Sequence, residues 1–199
     1  MTEAGQRTPS RDVEVALVDA AERVLVRDGL AGLTVRAVAA EAGVAPMGVY
    51  NRFGNKDGLV AAVLVRGFDG LAAAIGGEDG APPVERLRGC GRRYRRFALT
   101  HPRHYEAMFG TAVPPAARQA ATTAELAEHA GAAFGVLVTE VSRAMDAGAL
   151  RRADPTETAQ VVWSAVHGAV SLELAGVAQA GDPEASYERL LATVVAGLS

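Results

Sequence analysis

LTVRAVAAEAGVAPMGVYNRFGNKDGL, residues Leu33 to Leu59, is the stretch on which the reading of this chain turns. Thr34 is a good N-cap for a helix over 35–42, because its side-chain oxygen can accept from an orphan N–H of the first turn. Gly43 stands where that helix should stop. Pro46 suits the first turn of a second helix running through Phe53, where its missing N–H costs no bond. Gly54-Asn55 ends the second helix, and Asn55 caps a longer one beginning at Lys56. Two short helices around a tight turn make a helix-turn-helix, with Val38, Ala39, Ala42, Val44 and Val49 as its internal contacts. Ala39 and Gly43 are small where the helices cross and turn. Thr34, Arg36, Ala45, Met47, Tyr50, Asn51, Arg52 and Lys56 are left outside, on a surface suited to DNA.

Upstream, Val13, Ala16, Leu17, Ala20, Ala21, Val24 and Leu25 recur every three or four residues, which marks an amphipathic helix from Ser10 to Asp28 stopped at Gly29. Packed behind the helix-turn-helix, it completes a three-helix module over 10–55. Residues 1–9 read as a disordered arm. Downstream, the helix from Lys56 carries Leu59, Val63, Phe68, Leu71 and Ile75 before Gly76-Gly77 breaks it. Pro82-Pro83 opens another, to about Leu99, and a short helix spans Arg103 to Phe109. A Gly/Pro loop over Gly110–Pro115 and a helical pattern from Ala116 to Ala147 follow. Asp154-Pro155 and Asp182-Pro183 start the last two helices, to about Ala178 and Leu198. No strand pattern is present. The expected fold is all-α with about nine helices: an N-terminal helix-turn-helix domain over 10–55 and a larger helical domain over 56–199.

The 199 residues are 22% charged and 49% apolar, ordinary for a globular protein. Up to Arg66 there are eight Arg+Lys against eight Asp+Glu, and twelve against fifteen afterwards. Bulk charge therefore argues against non-specific coating of DNA, and affinity must come from basic groups sorted onto one face. Cys90 is the single cysteine, so there is no disulfide framework and no Cys-based zinc site, and a reducing, cytoplasmic setting is expected. The N-terminal dozen residues lack the apolar segment of a secretory signal. Val161–Ala180 is long and apolar enough to raise a membrane span. His167, Glu173 and Gln179 lie inside it, so it reads as a buried helix.

The pattern Leu33-Thr34-Val35-Arg36-Ala37-Val38-Ala39, then Ala42-Gly43-Val44, Val49-Tyr50, Phe53, Lys56-Asp57 and Leu59, resembles the tetracycline-repressor (TetR) family of bacterial transcription regulators, over about residues 11–66. More loosely, Trp163, His167 and Gly168, with His101 to Phe109 upstream, look like the subgroup whose effector domain is named for Trp, His and Gly. The resemblance implies a homodimer bound to a palindromic double-stranded DNA operator, usually as a repressor. It implies that a small-molecule effector in the C-terminal domain swings the helix at Lys56 and releases the DNA. No cofactor is implied.

Carried over by position, Tyr50 matches a recognition-helix tyrosine that contacts phosphate or a thymine edge. Lys56 matches a phosphate-binding lysine at a helix N-terminus, where backbone N–H groups help hold an anion. It is also the one lysine beside nineteen arginines. Thr34 matches a phosphate contact, and Arg36 a phosphate or base contact. Ala45, Pro46 and Met47 occupy base-facing positions with apolar groups suited to thymine methyls, and Asn51 suits an adenine edge. Arg52 stands where many relatives have His, and would contact phosphate.

For the effector, an apolar cavity with a few polar anchors is expected. The candidates are Tyr94, Phe97, His101, His104, Tyr105, Met108, Phe109, Phe134, Trp163 and His167, each of which could equally be core. Homodimerisation is expected through the last two helices, whose apolar faces carry Val161, Val162, Ala165, Ala169, Leu172, Ala175 and Gly176, then Leu190, Leu191, Val194, Val195 and Leu198. The four arginines of Arg92-Arg93-Tyr94-Arg95-Arg96 cannot all face one way. They read as a solvated face pairing with Glu85, Asp79 or a partner subunit, with an acidic ligand as the other option. His101 and His104 invite a metal, but Pro102 breaks the helix that would align them. No nucleophile elbow, phosphate loop or dinucleotide fingerprint is present, so no enzyme is expected. The competing reading is a small helical enzyme or carrier with an apolar pocket, whose helix-turn-helix is only architectural.

Overall fold

The computed structural model describes residues 10–76, 80–110 and 123–199, which form nine helices and no strand. They are α1 (Ser10–Gly32), α2 (Val35–Ala42), α3 (Pro46–Phe53), α4 (Lys56–Ile75), α5 (Pro83–Thr100), α6 (Pro102–Phe109), α7 (Ala124–Asp146), α8 (Pro155–Leu174) and α9 (Pro183–Leu198). The all-α expectation holds over these residues. The 1–9 arm, most of the Gly110–Pro115 loop, Asp79 and the first residues of the helix expected from Ala116 lie outside the described residues.

Helix ends follow the local chemistry. Thr34 Oγ1 accepts from Ala37 N at 3.1 Å, and Asn55 Oδ1 from Gly58 N at 2.9 Å. Asp154 Oδ1 accepts from Thr156 N and Glu157 N at 2.8 and 2.9 Å, and Asp182 Oδ1 from Ala185 N at 2.9 Å. After α2, Gly43 takes φ 68°, Gly43 N bonds Ala40 O, and Val44 N bonds Ala39 O at 2.9 Å. This is a Schellman ending, and it needs a residue at home in the left-handed region. A Cβ on Gly43 would meet nothing within 4 Å, so backbone angle rather than helix crossing demands glycine there. Gly176 closes α8 in the same way, with Val177 N bonded to Leu172 O at 3.1 Å. That helix therefore stops at Leu174, short of the expected Ala178: Gly176 is a stop signal rather than part of an apolar face. Among the described residues, α4 and not Val161–Ala180 is long and apolar enough, by length and composition alone, to span a membrane.

The chain divides into two compact units, Met1–Gly67 with Arg103–Ala127, and Phe68–Pro102 with Glu128–Ser199. In the first, Leu17, Val24 and Leu25 of α1 pack with Val38 and Ala39 of α2, Val49 of α3, and Leu59 and Val63 of α4. Val44 departs from expectation: it follows the left-handed glycine and remains 39% exposed instead of joining this core. In the second unit α5 packs against α8 and α9, which pack on each other. The approach of α5 to α9 is close at Gly91, where a Cβ would stand 2.6 Å from Leu191 Cδ2. There the Tyr187 hydroxyl donates to Gly91 O at 2.9 Å.

The arginines of α5 are spent on this packing. Arg86 and Glu140 of α7, 8% and 2% exposed, form a two-pronged pair at 2.9 and 2.7 Å. Arg92 grips Glu188 of α9 at 2.7 and 2.9 Å and touches Glu85 at 3.3 Å. Arg95 grips Glu173 of α8 at 2.8 and 2.7 Å, and Arg93 donates to the Ile75 carbonyl at 3.0 Å. Arg96 is exposed. Carboxylate pairing, as expected for Glu85, is thus mostly a matter of tying helices together.

Two stability effects are expected in denaturant titrations. Gly43→Ala should cost about 1–2 kcal/mol, the penalty for an L-residue in the left-handed region. Glu140→Ala should cost about 3–5 kcal/mol, because it removes one partner of a buried ion pair.

Candidate nucleic-acid interface and aromatic cluster

Val49 is the one fully buried side chain of α3, and Phe53 is partly buried behind it. At about 100° per residue, these two fix the inner face and put Asn51 on the far side. Met47 and Gly48 stand beside Asn51, with Tyr50 and Arg52 on the flanks. Met47 is 63% exposed and Tyr50 46%. Ala45, Pro46, Asn51 and Arg52 are exposed as well, as are Arg36 on α2 and Lys56 at the start of α4. Thr34 is half-buried, its hydroxyl engaged as a cap. The nine positions singled out for DNA therefore border one helix-turn-helix, with only Thr34 withdrawn from the surface.

Charge in the first unit is sorted rather than absent. Arg23 and Arg27 both bind Glu41, at 2.7 and 2.8 Å, and Arg27 also binds Asp28 at 2.9 Å. Arg66 binds Asp19 and Glu22, and His104 Nε2 lies 3.5 Å from Glu22. The hydrogen bond from His104, aided by Arg66, holds the Glu22 carboxyl below the usual range. Arg27 and Arg23 do the same for Glu41. Arg52 pairs with Glu14 of α1. Arg36 and Lys56 have no carboxylate partner among the described residues. Within the even balance of the first 66 residues, Arg23, Arg27, Arg52 and Arg66 are paired, whereas Arg36 and Lys56 stand on the helix-turn-helix surface without a carboxylate partner and Asp57 beside Lys56 is unpaired too, among the described residues. Lys56 also opens α4, so its ammonium lies beside a helix N-terminus suited to an anion.

The effector candidates fall into both units. In the second, the Tyr94 hydroxyl shares a 2.8 Å hydrogen bond with His167 Nδ1 and receives one of 3.4 Å from Trp163 Nε1. The Trp163 ring centroid lies 6.1 Å from Phe134, edge-on, and 5.3 Å from His167. Burial lowers the His167 pKa and favours the neutral ring. Phe97 stacks on His101 at 5.0 Å, and His101 Nδ1 lies 2.8 Å from Thr100 Oγ1. In the first unit, Tyr105 and Met108 of α6 are buried, Phe109 packs on Tyr105 at 5.1 Å, and His104 faces Glu22. Tyr94, Phe134, Trp163 and His167 form one connected cluster.

His129 completes the histidines, with Nδ1 at 2.5 Å from Asp69. Among the described residues no three His, Cys, Asp or Glu side chains gather to hold a metal. Cys90 is buried and its thiol is pushed up to about 11 by desolvation, so it stays protonated and unreactive. Two residues at the interface escape a pattern reading. Glu14 lies far from Arg52 in sequence, and nothing local links them. Gly48 stands on the outward face, where a Cβ would meet only Val44 at 3.9 Å. A glycine inside a short helix with no internal need for it is the signal that could have found it.

Residues 17–63 match the bacterial regulatory proteins of the tetR family, and residues 87–194 match the tetracyclin repressor-like C-terminal domain. The second match contains Trp163, His167 and Gly168. An HTH-type transcriptional regulator of Mycobacterium tuberculosis H37Rv is 24% identical over 225 residues, covering 96% of each chain. A protein of unknown function from Rhodococcus sp. RHA1 superposes with a TM-score of 0.80 at 26% identity, over 98% of this chain and 99% of that one. A TetR family transcription regulator from Marinobacter aquaeolei VT8 shares the fold, with a TM-score of 0.69 at 19% identity over 96% and 98% of the two chains. With a helix-turn-helix that presents uncompensated cations and a C-terminal domain matched over more than half its length, the chain belongs to the TetR family, whose members are DNA-binding transcriptional regulators rather than enzymes.

Proposed function

We propose that two copies of this chain bind a palindromic operator in the cytoplasm, with one α3 in each major groove, and repress transcription until a small molecule releases them. The observation that carries this reading is the outward face of α3, flanked by Arg36 and Lys56 without carboxylate partners. Asn51 pairs with an adenine edge, and Ala45, Pro46 and Met47 meet thymine methyls. Thr34, Arg52 and Lys56 hold phosphates and so fix the register, Tyr50 meets phosphate or a thymine edge, and Arg36 meets phosphate or a base. Residues 10–55 form the DNA-binding domain, and residues 56–199 the domain for effector binding and dimerisation.

The exposed side of α8 supports dimerisation. Val162, Val166 and Val170 point into the unit, while Val161 and Leu172 remain 57% and 54% exposed, with Ala165 half-buried between them. That second apolar stripe, continued by Leu190, Val194 and Leu198 of α9, suits a two-fold interface. Two recognition helices held about 34–36 Å apart then meet successive major grooves. The effector reading rests on Tyr94, Phe134, Trp163 and His167, which combine aromatic surface with neutral polar groups. Phe97 and His101 are further candidates in the same unit, and His104, Tyr105, Met108 and Phe109 are separate candidates in the first unit.

Fluorescence polarisation with duplexes taken from promoters near the gene is expected to show one sequence bound specifically at moderate salt. No specific binding to any of them would contradict the reading. Lys56→Gln should weaken binding to all sequences and flatten the slope of log K against log salt by about one. Asn51→Ala should instead relax base preference, by about 1–3 kcal/mol of discrimination. Gly48→Ala should raise stability by about 0.5–1 kcal/mol, the helix preference of Ala over Gly. The same change should weaken operator binding, because its new methyl stands on the DNA-facing side.

A further inference from the structure

We infer that Glu14 is a built-in competitor for the phosphate held by Arg52, so that docking on DNA exchanges a carboxylate for a phosphate at this guanidinium. The inference rests on the placement of Arg52 at the DNA surface. Glu14 projects from α1 and pairs with Arg52 in the last turn of α3, with side chains 40% and 33% exposed. Both groups are therefore within reach of solvent and of an approaching DNA backbone. Other acidic groups of α1 serve elsewhere: Asp19 and Glu22 bind Arg66, and Asp28 binds Arg27. Glu14 instead pairs with a cation of the recognition helix itself. Arg36 and Lys56, on the same surface, carry no such counter-ion among the described residues.

The guanidinium fork fits a carboxylate or a phosphate in the same two-pronged way. A phosphate arriving at the occupied fork meets a second anion within a few ångströms, well inside the screening distance at physiological salt. Displacing Glu14 removes that repulsion but gives up the pair. Exposed pairs of this kind are weak, so the competitor lowers affinity about threefold rather than blocking binding. It acts on every duplex alike, because phosphate contacts carry no sequence information. The result is a moderated grip, which favours release.

A double-mutant cycle tests this with a mixed-sequence duplex of about 30 base pairs at about 50 mM salt, where phosphate contacts alone give measurable binding. Wild type, Glu14→Gln, Arg52→Ala and the double variant are compared by polarisation, with thermal melting to establish that each surface variant is folded. Glu14→Gln is expected to bind about threefold tighter than wild type. In the Arg52→Ala background the same change should alter affinity by less than about 1.5-fold. An equal gain in both backgrounds would reduce Glu14 to a general negative charge and overturn the inference. Weaker binding by Glu14→Gln would make Glu14 a support for Arg52 and also overturn it. Either result leaves the DNA-binding reading intact, whereas a wild type that binds no duplex overturns both.

Discussion

Burial of Val49 in the core of the first unit sets the orientation of everything the helix-turn-helix shows to the outside. It is the single fully buried residue of an eight-residue helix, so α3 has one way to sit on its module. Its exposed side is then determined by helix geometry: Asn51 opposite, Met47 and Gly48 beside it, Tyr50 and Arg52 on the flanks. The turn before α3 is made by Gly43 in the left-handed region, and the ends of α2 and α4 by Thr34 and Asn55. A short helix held by one apolar anchor and three local backbone devices can expose most of its side chains without losing its place.

Charge follows the same economy. Nineteen arginines suggest nucleic acid at first sight, yet most of those described are structural. Arg86, Arg92 and Arg95 clamp α5 to α7, α9 and α8, and Arg23, Arg27 and Arg66 join helices in the first unit. Each pairing removes a cation from the field that DNA would sense. What remains on the helix-turn-helix is Arg36 and Lys56, with Arg52 held against Glu14. A protein with a net negative charge can therefore still offer cations on its reading surface.

Much of this was legible in the sequence because it is local. Thr34, Gly43, Pro46, Asn55, Asp154 and Asp182 each act through bonds to residues within a few positions, and those signals put the helix boundaries close to where they lie. Gly176 was misread because a small residue in an apolar run looks like part of a face until its backbone angle is known. Val44 was assigned to the core by residue type, but the left-handed turn before it points it partly outward. The ion pair of Glu14 with Arg52 and the clamps of the α5 arginines join residues far apart in the chain, beyond the reach of periodicity. The effector candidates are aromatics and histidines, with Met108. Composition cannot distinguish the linked group Tyr94, Phe134, Trp163 and His167 from buried side chains such as Tyr105 and Met108.

The central claim is that the far side of α3 from Val49 lies against DNA bases. Site-specific photo-crosslinking addresses it directly, with a photoreactive side chain at position 51 and, as a control, at the exposed Thr139 of α7. On irradiation with bound duplex, position 51 is expected to crosslink to bases and position 139 to give no adduct. Crosslinking from position 139, with none from position 51 in a protein that still binds, would contradict the account.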